Sequence, residues 1–351
     1  MAVLSVVIAA HGVAPYLRGC LDSVLAGAPA DLDVVAVDDA SPDECGDILD
    51  GYAKRDARVR AVHLSPNHGL GPARNAGRDI ARGDYVWFVD GDDRLAHGAT
   101  GRVAARLTQV RPDVLLLRHA FLVDGRVRPD PRGARVPRFS GTATAADRPR
   151  LLRVRQAAWN RVVRRDALAA SGLRFPEGWY EDVAFSHLSL IASDSIAALP
   201  GVAYLYRQRD GAITATVSPR HFEVFRQYER LYDELDPNVP AAVRAELFEL
   251  MIEHYLVVVG TEGRVPAAMR PDFFGRIVEH YHRYLPPQGY AMPSGVAGLK
   301  QRFVRWDAYG LFHTLRAAYR SARRARSAVG HRQKARENLD EMPPIASGPN
   351  R

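Results

Sequence analysis

Tyr85-Val86-Trp87-Phe88-Val89 is a run of aromatic and β-branched residues with no polar side chain to offer to water, and it stops abruptly at Asp90-Gly91-Asp92-Asp93. A strand of that composition needs cover on both faces. The carboxylates crowded at its end repel one another and lose hydration, so the fold has to bring positive charge to them. A divalent cation that prefers hard oxygen ligands, Mg2+ or Mn2+, meets that need. Gly91 permits the tight backbone that turns neighbouring carboxylates toward one point. A solvated acidic turn satisfies the same residues, so the choice falls to the rest of the chain.

Leu4–Ala9, Val34–Val37 and Val59–Leu64 read as three further strands. Between them lie helical patterns over Ala14–Leu25, from Ser41 to Tyr52 and over Gly71–Ala81, with Ser41 as N-cap and Pro42 at the first helical position of the second. Strands and helices in strict alternation, with near-continuously apolar strands, predict an α/β fold: a mostly parallel sheet covered by helices. Ligands of such sheets gather beyond the carboxyl ends of the strands. Here those ends carry His11, Asp38-Asp39 and Asp90 to Asp93. Two acidic clusters on one rim point to a nucleotide and metal site.

Farther along, the pattern predicts a helix from Arg94 through Thr108, strands at Val114–Leu117 and Phe121–Val123 with a tight turn at Asp124-Gly125, and an Arg-, Pro- and Gly-rich loop over 126–150. Leu151–Ala170 reads as helix, as does the stretch from Trp179 through Ile191; Tyr204–Arg207 reads as strand. From Arg220 to Leu285 the chain is mostly helical, and Val296–Arg326 reads as one basic helix whose aromatic face carries Phe303, Trp306 and Phe312. Arginines crowd from Arg316 to Arg336 without an acid among them, so this end supplies much of the net charge of +8. That composition suits an anionic surface, lipid before nucleic acid, since no aromatic-interleaved or zinc-like motif accompanies it. No run approaches the ~18 apolar residues of a transmembrane helix. The first apolar run lacks the basic flank and cleavage site of a signal peptide. With two cysteines, Cys20 and Cys45, no disulfide framework is expected, and a cytoplasmic, reducing location with peripheral membrane contact is favoured.

Several groups invite a chemical reading. Gly69 and Gly71 are followed by Arg74 where a dinucleotide fingerprint needs glycine, so the segment reads as a helix N-terminus near a phosphate with Arg74 aimed at the acidic rim. Glu181-Asp182 is either a favourable charge at a helix start or a general base for an acceptor hydroxyl. Arg207 and Arg209 suit diphosphate oxygens, or an exposed turn. His280 and His282 do not share a helical face, so a common metal is not expected.

Taken together, Ser5-Val-Val-Ile-Ala-Ala-His11, Val37-Asp38-Asp39-Ala-Ser41, Ala73-Arg74-Asn75-Ala-Gly77, Gly83 to Asp93, Trp159-Asn160, Glu181-Asp182 and Tyr206-Arg207-Gln-Arg209 resemble, in order and spacing, the family 2 glycosyltransferases of GT-A fold. The resemblance covers residues 1–215 as a catalytic domain. It leaves 216–335 as a helical C-terminal extension ending in the basic helix, and 336–351 as a disordered tail. It implies that Asp38 or Asp39 binds the base or ribose of a nucleoside-diphosphate sugar. Asp90, Asp92 and Asp93 become the metal and ribose carboxylates, the last two nearest the cation. Asp182 becomes the catalytic base with Glu181 beside it, and Arg207 and Arg209 meet the diphosphate. The matched Ala9, His11, Arg74, Asn75, Trp159 and Asn160 are assigned to donor and substrate binding with them. Such enzymes mostly invert the anomeric centre, and the expected acceptor is a hydroxyl of a glycan, a teichoic-acid-like polymer or a lipid-linked glycan. One departure stands out: the first strand ends in Ala9-Ala10-His11-Gly12, where the family usually has Pro-Val-Tyr-Asn. A nucleotidyltransferase on a similar fold and a silent membrane scaffold are the rival readings.

Overall fold

In a computed structural model, which describes residues 2–130, 136, 141–209 and 216–319, the first four strands are where the apolar runs lie. They are β1 (Leu4–Ala10), β2 (Asp33–Asp38), β3 (Val59–His63) and β4 (Tyr85–Asp90), paired parallel in the order β3-β2-β1-β4. Alternate residues serve opposite faces. Val7 and Ala9 join one apolar cluster, while Val6 and Ile8 join the other. The second cluster is closed by α1 (Ala14–Leu25), α2 (Cys45–Arg55) and α4 (Ala99–Val110) through Leu17, Ile48 and Val103. The first is closed by α3 (Leu70–Asp79), which lies so close to β1 that a Cβ on Gly77 would come within 2.4 Å of a Val7 methyl.

Beyond β4 the sheet turns mixed. It runs β4-β8-β6-β9-β5, with β5 (Arg94–Leu95), β6 (Val114–Val123), β8 (Arg161–Arg164) and β9 (Ile196–Arg207), while β7 (Arg126–Pro129) hairpins onto β6. Four expectations are corrected here. Arg94 opens a two-residue strand rather than a helix. The two strands predicted around Arg118 are one, with an irregular register against β9 at that residue. The helix predicted over Leu151–Ala170 holds a short α5 (Arg148–Leu151), a 3-10 turn, then β8 and α6 (Arg165–Ala170). Val162 and Val163 are both buried and pair with β4 and β6, so the gap between those strands overrides local helical preference. Finally, α2 starts at Cys45, because Ser41 and Asp43 accept the backbone N–H groups of Gly12 and Ala14 and tie one rim loop to the other.

After α7 (Asp182–Ile191) and β9, the helices α8 (Glu223–Asp233), α9 (Ala241–Gly260), α10 (Arg270–Tyr284) and α11 (Gly295–Arg305) pack on the α3 face. They share one apolar cluster with the sheet, which runs from Val7 and Phe88 through Phe185 and Phe248 to Phe312. The single helix expected from Val296 breaks. α11 ends at Arg305, Asp307 turns left-handed at φ 50°, and helix resumes over 309–319. Its expected aromatic face divides too: Phe303 and Phe312 are buried, while Trp306 stays 63% exposed. The rest of that basic segment and the tail from 336 lie outside the described residues, as does most of 131–140. Among the described residues, no helix is long and apolar enough to cross a membrane.

Candidate active site

The rim is assembled by register. Ala10 pairs with Asp38 and Ala9 with Asp90, so the two acidic strand ends flank the end of β1. His11 follows at the surface, its Nδ1 2.9 Å from the Asp39 carbonyl. Asp38 accepts the Ser41 N–H at 3.1 Å and faces His63 at 3.4 Å. Asp39 is spent on the fold: its two oxygens accept the N–H groups of His68 and Gly69 at 2.8 and 2.7 Å, shaping the loop that leads into α3.

The three carboxylates after β4 diverge. Asp90 accepts from Arg74 at 2.6 Å. Asp92 accepts from Arg209 Nε at 2.7 Å, and its carbonyl takes Arg207 Nε at 2.6 Å. Asp93 is fully buried, with one oxygen on the Tyr204 hydroxyl and the other on the Arg207 N–H, both at 2.6 Å. Burial, and then the neighbouring Asp90, raise the Asp92 carboxyl above its ordinary range; burial with Asp92 and Asp90 raises Asp93 further. Arg209 offsets part of the rise at Asp92. A hard divalent cation fits Asp90 and Asp92 chemically, while both oxygens of the buried Asp93 already accept a hydrogen bond each. Among the described residues no three side chains form a ready metal cage, which is compatible with Mg2+, an ion held by one or two carboxylates plus phosphates and water.

Arg74 joins this rim to the second acidic pair. Its guanidinium is 2% exposed and bonds Asp90 and Glu181, each at 2.6 Å. Burial works against its charge, but Asp90 and Glu181 outweigh that and hold it firmly protonated. Glu181 is thus a structural counter-ion to Arg74 as well as the chain neighbour of Asp182. Asp182 is different: among the described residues none donates a hydrogen bond to its carboxylate. Burial, then Glu181, push it up to about 7. Behind it sits Arg161, buried on β8 and solvated by the Ala157, Arg155 and Ser186 carbonyls and the Asn160 amide oxygen. Burial brings that guanidinium down to about 10.

Three matched residues face inward. Asn75 donates to the Phe175 carbonyl at 2.7 Å and accepts its N–H at 3.0 Å. Asn160 is fully buried, its amide on the Arg155 carbonyl and on Arg161. Trp159 stacks on Tyr204 at 4.4 Å between centroids. They set the backbone and the aromatic floor under the rim. Tyr204 and Arg161 were missed by sequence reasoning. An apolar strand gives no sign that one tyrosine hydroxyl meets a carboxylate, and Arg161 sits in a segment read as helix.

Residues 5–170 match the model of glycosyl transferase family 2. A glycosyltransferase described as uncharacterized, EpsJ of Bacillus subtilis, is 30% identical over 219 residues, 60% of this chain and 62% of EpsJ. Glycosyltransferase GlyG of Streptococcus pneumoniae is 24% identical over 61% of this chain and 73% of its own length. This chain thus spans less than two thirds of EpsJ. The crystal structure of residues 1–349 of S. aureus TarS in complex with UDP-GlcNAc superposes with a TM-score of 0.70 at 21% identity, covering 92% of both chains. That likeness includes the helical C-terminal region and shows the GT-A fold expected from the sequence. The match to glycosyl transferase family 2 thus covers residues 5–170, just under half of the chain, and the TarS likeness extends the same fold over the rest of the described residues.

Proposed function

We propose that the chain is a metal-dependent, inverting glycosyltransferase that moves a sugar from a nucleoside diphosphate, UDP foremost, to a hydroxyl of a glycan, cell-wall polymer or lipid-linked acceptor. The observation that carries this reading is Asp182: a carboxylate with no hydrogen-bond donor among the described residues, raised to about 7, two residue contacts from the acidic rim through Glu181 and Arg74. A base poised near neutrality is what removal of a hydroxyl proton at neutral pH requires. UDP and UDP-GlcNAc are bound in crystals of TarS, which supports the choice of nucleotide.

On this reading Asp182 takes the acceptor proton as the acceptor oxygen attacks the anomeric carbon, and the carbon–oxygen bond to the diphosphate breaks on the opposite face. Arg207 and Arg209, already on Asp92, meet the charge that collects on the departing diphosphate. A divalent cation on Asp90 and Asp92 would add charge neutralisation there. Asp38 and His11 are the rim groups left to the base and ribose.

The exposed Val296, Trp306, Leu311 and Tyr319, with exposed Arg302 and Arg305 beside Trp306, support peripheral contact with an anionic cytoplasmic membrane face. Sedimentation with phosphatidylserine vesicles tests that contact, and equal recovery with neutral vesicles would rule it out.

Calorimetric titration with UDP, GDP and CDP, each with and without Mn2+, tests the enzyme reading. Metal-dependent binding of UDP is expected. Absence of binding by all three nucleotides would remove it in favour of the membrane scaffold.

A further inference from the structure

Tyr180 is held in the left-handed backbone region, φ 63°, where a bulky residue stays only if its surroundings keep it there. It lies two positions before Asp182, and what keeps it comes from the C-terminal helical region. The buried His221 ring lies 2.8 Å from the Thr216 carbonyl through Nε2 and 2.6 Å from the Tyr180 hydroxyl through Nδ1. A carbonyl only accepts, so Nε2 carries the proton, Nδ1 is bare and the tyrosine hydroxyl donates to it. Two further bonds run the same way. The Trp179 N–H donates to Glu223 Oε2 at 2.5 Å, and Gln227 donates to the Glu177 carbonyl at 3.0 Å. Gly178, at φ 94°, lies so close that a Cβ there would come within 2.5 Å of the same Glu223 oxygen.

We infer that Tyr180 and His221 are positioning residues: their hydrogen bond, with Glu223 on Trp179, clamps the 177–182 turn and so holds Asp182 in its half-buried place beside Glu181. The inference rests on the reading of Asp182 as the base. The charged and titratable groups around Asp182 are Glu181 beside it, Arg74 of α3, Asp90 of β4, Arg161 of β8, and the hydroxyls of Tyr180 and of Tyr228 on α8. Burial is the largest influence on its carboxyl. A loosened turn admits water and lets the titration midpoint fall toward that of an ordinary carboxyl.

The midpoint is measured on the full chain by carbon-13 NMR of the Asp182 carboxyl, assigned by its loss in Asp182→Asn. Tyr180→Phe and His221→Phe are each expected to lower it by about one unit or more, and the double variant no further than the stronger single. His221→Gln, which can still donate to Thr216 and accept from Tyr180, is expected to keep the native midpoint. It is also the variant to read should the phenylalanine proteins not fold. Tyr255→Phe, which breaks the 2.9 Å hydroxyl contact with His280 within the helical region, controls for general loosening and is expected to leave the midpoint alone. An unchanged midpoint in folded Tyr180→Phe, an equal shift in Tyr255→Phe, or a shift in His221→Gln as large as in His221→Phe would overturn the inference. Turnover of Asp182→Asn is a separate matter: if it equals that of the unaltered chain, the base assignment fails while the midpoint data still decide the clamp.

Discussion

Asp92 and Arg209 stand 117 positions apart in the sequence and 2.7 Å apart in the fold. The pair ties the loop after β4 to the end of β9, so this side of the acidic rim draws on two strands far apart in the sequence. Asp92→Asn is expected to cut turnover by 100-fold or more, as loss of a key electrostatic group typically does, while thermal unfolding changes little because the side chain is only partly covered. Turnover with Mn2+ and after chelation checks both halves. Equal rates in the variant and the unaltered chain would defeat the metal assignment.

Asp182→Asn is expected to lower kcat by 10²–10⁴-fold, the usual worth of a general base. In the unaltered chain kcat/KM should rise with pH through about 7, since the base works deprotonated. Stability runs the other way. The carboxyl binds its proton more tightly folded than unfolded, so the fold loses stability as pH rises from the ordinary carboxyl range through about 7. Urea unfolding at pH 5 and pH 8 should therefore show the Asp182→Asn chain gaining relative stability at the higher pH.

Arg74→Met should be the most damaging single change on the rim. It strips the shared partner from Asp90 and Glu181, the latter buried, and breaking such a pair costs about 3–5 kcal/mol. Denaturant unfolding measures it; a loss under 1 kcal/mol would mean that water replaces the guanidinium.

Gly77→Ala is expected to destabilise by about 1–3 kcal/mol through overpacking, since the new methyl meets Val7 at 2.4 Å and Val37 at 3.1 Å. Differential scanning calorimetry gives the shift.

The first half of the sheet was legible because β1, β2 and β4 are almost wholly apolar and the last two stop at acids, a pattern that needs no tertiary information. β8 was not, because Arg161–Arg164 is two valines between arginines, and only the vacancy between β4 and β6 makes it a strand. Residue types at the rim were likewise readable, but not their direction. Asp38 and Asp39 are neighbours of one kind in the sequence, yet one takes a single backbone N–H and faces the His63 ring while the other is consumed by two backbone N–H groups. The break at Asp307 escaped because helical periodicity continues on both sides of it.

The apolar cluster that runs from Val7 to Phe312 has a bearing on how the protein is made. Phe88 leaves the ribosome long before Phe185, Phe248 and Phe274, which complete the same cluster. At about 5–20 residues per second, one face of the newborn sheet waits many seconds for its cover. The chain therefore spends much of its synthesis as a client for whatever shields exposed aromatic surface in the cell, and its yield on expression should track the supply of such chaperones more closely than its final stability.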